Sequence, residues 1–328
     1  MINRRDIVRL AAVSAIAPGL AGRVSAQSSA EEWPNRFVRL IVPLAPGGPT
    51  DVAARVIAEP LSKMWAQQVV IENKPGGGTN TASDLVAKAS PDGYTILYAT
   101  SSLSVAPSLY RTLSYDPIVD LAPVSLLFSF PFYMFVPNSS PAKTVQEFIA
   151  HVKANPGKVT MASPGTGSTP HLAAELFKRM AGIEMTHVPY RGAGPVLNDL
   201  IPGRVDLYFA SGSLLENAQA GQIRVLGVTG LKRDPAAPDV PTIAEAGLPG
   251  YEVTSWQAFF VPARTSSAIV KKINAGALAA LADPGVRAKA QQIGYVPIGS
   301  TPEELGIMLK AEIAKWHAVI KDAGLKME

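Results

Sequence analysis

Val38-Arg39-Leu40-Ile41-Val42-Pro43-Leu44-Ala45-Pro46-Gly47-Gly48-Pro49-Thr50-Asp51 runs from a β-branched stretch through a glycine-rich loop into a helix-forming segment. The pattern returns at Val159-Thr160-Met161-Ala162-Ser163-Pro164-Gly165-Thr166-Gly167-Ser168-Thr169-Pro170-His171. A helix start leaves several backbone N–H groups without intrahelical partners, and the peptide dipoles make that end partly positive. Glycine lets such groups close on a guest, so each loop is a candidate anion cradle. Two cradles on two facing domains would grip a molecule that carries one or two carboxylates.

Working outward, short apolar runs alternate with helical stretches. Strands are expected at 38–42, 69–72, 95–99, 132–136, 159–162, 185–189, 205–209 and 223–228. Several are almost wholly apolar, as strands buried on both faces are. Helices are expected at 51–65, 83–89, 144–155, 170–181 and 193–200. Thr144-Val145-Gln146-Glu147 opens one with a capping-box pattern, and Asn155-Pro156-Gly157 ends it. The tail reads as helices at 266–282, 284–293 and 301–322, with a strand at 296–298. Alternation of this kind points to α/β architecture with mostly parallel sheets. The strand–loop–helix theme occurs twice, so two α/β domains around a shared cleft are expected. Segments 116–131 and 250–262 serve as the crossovers. Domain one then takes 31–125 plus 255–328, domain two takes 126–254, and the paired crossings form a hinge.

The first 26 residues read as an export signal rather than as fold. Arg4, Arg5 and Arg9 precede the apolar stretch 10–20, and Val24-Ser25-Ala26 offers a cleavage site before Gln27. Arg4-Arg5 loosely matches the twin-arginine route, and the general secretory route stays open. The expected location is the periplasm. The segment carries Arg4, Arg5, Arg9 and Arg23 against Asp6, so it holds most of the chain's net charge of +4. The remainder is nearly neutral, which argues against nucleic acid as a partner. There is no cysteine, so a lipoprotein anchor and disulfides are both excluded.

The same residues admit plainer roles. Gly47-Gly48 alone could be a bare strand-to-helix turn. Asp51 is expected to stabilise its own helix, because a carboxylate beside a bound anion would repel it. Thr166, Ser168 and Thr169 could be helix caps, a role compatible with ligand donation. His171 is expected to pack or cap. Tyr190-Arg191 follows a strand end within reach of the cleft, where Arg191 could clamp a carboxylate or make a surface ion pair. Ser101 is a candidate secondary wall. Trp256-Gln257 reads first as core and second as cleft lining.

Further segments resemble the substrate-binding proteins of tripartite tricarboxylate transporters, the Bug family. They include 42–55, Val70-Ile71-Glu72-Asn73-Lys74-Pro75-Gly76-Gly77-Gly78, Pro91-Asp92-Gly93-Tyr94-Thr95, 165–173, Val188-Pro189-Tyr190-Arg191-Gly192-Ala193-Gly194-Pro195 and 240–251. They follow in family order from about Trp33 to near the C-terminus. Leu44 stands where members often carry an aromatic residue. The resemblance implies a type II, periplasmic-binding-protein-like Venus flytrap that holds small carboxylates, or sometimes amides and aromatic acids, mainly through backbone N–H groups and water. It implies membrane permease subunits as partners and a monomeric receptor. Carried over by position, Ala45, Pro46, Gly47, Gly48 and Thr50 would hold one carboxylate. Ser163, Gly165, Thr166, Gly167 and Ser168 would hold the distal group, with Ser101 and Tyr190 as further lining.

Enzyme motifs are lacking: there is no G-x-S-x-G elbow, Walker loop or H-E-x-x-H. Four histidines show no metal-binding spacing, so neither metal nor cofactor is expected. The leading expectation is a carboxylate-capturing transport protein. A sensor that presents the loaded form to a membrane signalling partner would have the same cleft.

Overall fold

The computed structural model describes residues 33–190 and 193–325; the expected signal segment and Arg191 lie outside them. Strand β1 (Val38–Val42) leads through the first loop into α1 (Pro49–Trp65), then β2 (Val69–Asn73). Next come α2 (Asn80–Ala87), β3 (Thr95–Thr100), α3 (Ser102–Leu109) and the long β4 (Leu121–Pro131). The second lobe contains β5 (Tyr133–Pro137), α4 (Val145–Ala154), β6 (Thr160–Ser163), α5 (Thr169–Ala181), β7 (Thr186–Pro189), α6 (Ala193–Leu200), β8 (Leu207–Ala210), α7 (Leu215–Gln219) and β9 (Ile223–Val228). The chain returns through β10 (Thr254–Pro262) to α8 (Ser267–Ala282), α9 (Pro284–Gln292), β11 (Val296–Pro297) and α10 (Pro302–Asp322).

The sheets have orders β11-β4-β10-β3-β1-β2 and β7-β6-β8-β5-β9. Both are mixed, which corrects the expectation of mostly parallel sheets: β10 runs antiparallel to β3 and β4, and β5 antiparallel to β8 and β9. The segments expected as bare crossovers are largely β4 and β10. They form the centre of the first sheet, and their ends feed the second lobe. Trp256-Gln257-Ala258-Phe259-Phe260-Val261 is buried throughout, as a central strand must be.

Each sheet is covered on both faces. One face of the first sheet packs Leu40, Tyr98 and Phe259 against α1 and α8; the other packs Leu97 and Phe260 against α2 and α10. In the second sheet, Met134 and Phe209 meet α4 and α5, while Phe135 and Tyr208 meet α6. Two helices belong to both cores. Leu305 and Leu309 of α10 join the first, whereas Trp316, Val319 and Ile320 of the same helix join the second. Likewise Leu103 of α3 sits in the first core and Val105 and Leu109 in the second.

Local capping sets several helix starts. Thr301 and Glu304 of α10 form a reciprocal capping box, the hydroxyl accepting Glu304 N–H at 3.1 Å and the carboxylate accepting Thr301 N–H at 2.8 Å. At α4 only half of the expected box forms. Thr144 accepts Glu147 N–H at 3.1 Å, but the Glu147 carboxylate takes the Lys143 N–H instead, one residue earlier.

Candidate functional site

Both glycine-rich loops end at helix N-termini beyond the carboxyl ends of parallel strands, the usual ligand position in open α/β sheets. In the first loop, Gly48 caps α1 in extended conformation without a side-chain bond. Val52 is the first residue to close back, donating to Gly48 C=O at 3.0 Å. The N–H groups of Gly48, Thr50 and Asp51 precede it and have no backbone acceptor among the described residues, whereas Pro49 has no N–H to give. Gly47 differs: its N–H donates to Asp51 Oδ2 at 2.9 Å, with φ at +82°. Asp51 is buried and also accepts Arg55 Nε at 2.9 Å and Asn73 Nδ2 at 2.9 Å. The Arg55 guanidinium first, then the Gly47 and Asn73 donors, outweigh burial and hold this carboxyl down at about 2. Asp51 therefore shapes the loop from behind. Leu44, Ala45 and Pro46 form its exposed rim.

Thr50 is buried and its hydroxyl accepts from Gln257 Nε2 at 3.3 Å. Gln257 also donates to Tyr295 at 3.0 Å and accepts from the Tyr98 hydroxyl. With only 2% of its surface exposed, Gln257 ties α1 to the first sheet. Two residues earlier on β10, Ser255 Oγ lies 3.1 Å from Ser101 Oγ. Ser101, the N-cap of α3, fixes its own backbone by donating N–H to Trp256 C=O at 3.0 Å, and its hydroxyl reaches Thr169 Oγ1 of the second lobe at 3.5 Å. Thus residues 255–257 touch the first loop's helix through Gln257 and the second loop's helix through Ser101.

The second loop is bound inward. Gly165 C=O accepts from Ser163 Oγ at 3.0 Å, Ser168 Oγ at 2.7 Å and Ser168 N–H at 3.2 Å. Ser168 also caps α5, accepting His171 N–H at 3.4 Å. Gly167 N–H donates to His171 Nδ1 at 3.0 Å. The N–H groups of Thr166 and Thr169 have no acceptor among the described residues, and Thr166 is exposed. Gly167 rests on Leu109 of α3, where a Cβ would come within 2.5 Å of the leucine methyl. Tyr190 N–H donates to Ser163 C=O at 2.9 Å, and its hydroxyl donates to Asp199 at 2.7 Å. Burial and that carboxylate push the Tyr190 hydroxyl up to about 12.

Sequence reasoning placed Gln257 in the core first and named neither Ser255 nor the Ser101–Thr169 contact. The apolar run 256–261 was the available signal for a strand, and alternation along it would have put 255 and 257 on one face. Among the described residues, no group of three His, Asp or Glu side chains could hold a metal ion. No described helix is long and apolar enough to cross a membrane.

Residues 53–325 match the tripartite tricarboxylate transporter family receptor. The chain belongs to this receptor family. Solved relatives carry the same fold along nearly their whole length. The R. palustris protein Rpa4515 with adipate is 40% identical, with a TM-score of 0.77 over 90% of this chain and 100% of its own. MatC from Rhodopseudomonas palustris with bound malate is 34% identical, with a TM-score of 0.73 over 88% and 100%. The periplasmic binding protein BugD is 34% identical, with a TM-score of 0.74 over 90% and 100%. The receptor has the two-lobe α/β fold of periplasmic binding proteins.

Proposed function

We propose that this receptor captures a small organic carboxylate between its lobes in the periplasm and presents it, unaltered and as a monomer, to membrane permease subunits. The class includes dicarboxylates, tricarboxylates, amino acids and aromatic acids, and dicarboxylates are tested first. The supporting observation is the pair of helix N-termini whose first N–H groups have no acceptor among the described residues, α1 tied to β10 through Gln257 and α5 through Ser101. Residues 45–48 and Thr50 would cradle one carboxylate; Thr166, Thr169 and the neighbouring loop would meet the other. Ser163, Gly165, Gly167 and Ser168 hold their loop's shape, while Ser101 joins the lobes. Adipate and malate, the guests of two solved relatives, each carry two carboxylates.

Calorimetry and thermal shift against a panel of small acids test this. A micromolar guest, bound by about −8 kcal/mol, should be recovered chemically unchanged. Affinity should depend weakly on salt, because donors rather than cationic side chains do the holding. Gly47→Val and Gly165→Val should fold yet lose ligand-induced stabilisation; full stabilisation in both would refute the cradle.

A further inference from the structure

Beneath the second loop lie two imidazoles with no role in the cradle described so far. His171 of α5 and His187 of β7 stack with ring centroids 3.7 Å apart and planes 14° from parallel. His171 is 1% exposed. Each ring makes one bond to the loop. His171 Nδ1 accepts Gly167 N–H at 3.0 Å, and His187 Nε2 lies 2.7 Å from the Ser163 hydroxyl that braces Gly165.

A nitrogen that accepts an N–H must keep its lone pair, so the His171 ring is neutral with its proton on Nε2. That nitrogen lies 3.5 Å from Glu175 Oε1. The other charged groups nearby are Lys178, 3.1 Å from Glu175 and 3.8 Å from Glu184, and the Arg179–Asp322 pair that joins α5 to α10. Tyr251, which donates to Ala173 C=O at 2.9 Å, is held neutral by burial. Burial pushes the His187 pKa down to about 4. A charged His171 would set N–H against N–H, and a charged His187 would face a buried ring. A proton on His171 Nδ1 would therefore break the bond from Gly167 N–H that holds the loop.

We infer that His171, backed by His187, is a positioning residue for carboxylate capture: the neutral pair holds the second loop in its binding shape, and protonation releases both loop and guest. The effect on affinity rests on reading that loop as a carboxylate cradle; the hold on Gly167 does not.

The test has two arms on the full receptor. In the ¹⁵N-labelled protein without guest, nuclear magnetic resonance should detect coupling across the hydrogen bond between Gly167 N and His171 Nδ1 at pH 7. That coupling should vanish once acid places a proton on His171 Nδ1. Calorimetry then follows malate and adipate from pH 7.5 to 3, corrected for each acid's own ionisation. Below the pair's midpoint the affinity should fall about tenfold per pH unit for one coupled proton. His171→Gln keeps an acceptor without a titratable ring, so it should bind within about threefold of the parent at pH 7.5 and lose the acid slope. Absence of the coupling, its persistence through the titration, or an affinity that follows only the guest's ionisation would overturn the inference. If the coupling behaves as expected and neither acid binds at pH 7.5, the hold on Gly167 stands and the choice of guest fails.

Discussion

Asp51 and His171 occupy matching places in the two loops: each accepts the N–H of the glycine four residues before it, Gly47 at 2.9 Å and Gly167 at 3.0 Å. The glycines match in conformation, with φ of +82° and +76°. In each loop a first-turn side chain consumes one donor and fixes the direction of the next ones. The acceptors differ in charge. Asp51 is an anion neutralised by Arg55, whereas His171 accepts as a neutral ring.

Asp51→Ala should lower stability by about 2–3 kcal/mol, because it strands the Gly47 and Asn73 donors and unpairs Arg55. Urea denaturation gives the value, and a change below about 0.5 kcal/mol would deny Asp51 this role. The folded pKa lies below the unfolded one. The contribution is therefore complete above about 3.9 and disappears as pH falls through about 2.

Gly47→Ala and Gly167→Ala should separate backbone strain from packing. Both positions have left-handed φ, which costs a residue with a Cβ about 1–2 kcal/mol. A Cβ at 47 meets nothing within 4 Å, but at 167 it would lie 2.5 Å from Leu109. Gly167→Ala should thus cost a further 1–3 kcal/mol or so. Equal values in urea melts would show that the loop can move off α3 freely.

Gln257→Leu should cost about 2–4 kcal/mol, since it deprives Tyr98, Tyr295 and Thr50 of their shared partner within the core. Guest affinity should fall as well, because Thr50 loses its tether at the start of α1. Loss of stability with affinity unchanged would confine Gln257 to the core.

His187 sets an acid limit on the fold. Its folded pKa of about 4 lies below the ordinary value near 6.5. The unfolded chain therefore binds more protons between those values, and stability falls as pH drops through that window. Replacement by Phe should flatten the decline in melting temperature between pH 6.5 and 4; an unchanged slope would exclude His187.

Some of the site was legible in the chain because its logic is local. Strand, glycine, then helix in immediate succession leaves N–H groups unpaired whatever surrounds them, and the 42–51 and 163–171 segments carry that order openly. Asp51 is legible as a support for its own helix, since the first turn sets it beside the loop and Arg55 follows it by four residues. The serine hydroxyls at 163 and 168 were harder to place. Nothing in the local pattern says that both turn inward on Gly165 C=O.

The amino-acid order by itself determined the two β–loop–helix units and hence the existence of two donor ends, because hydrogen bonding within one helical turn depends only on near neighbours. Tertiary structure alone decided that β10 would run antiparallel through the first sheet and bring Ser255 and Gln257 between those ends. It also decided that α10 would place Leu309 in one core and Trp316 in the other. Those contacts join residues as much as 207 positions apart. They form only when buried apolar faces find partners across lobes, and no local pattern encodes which face meets which.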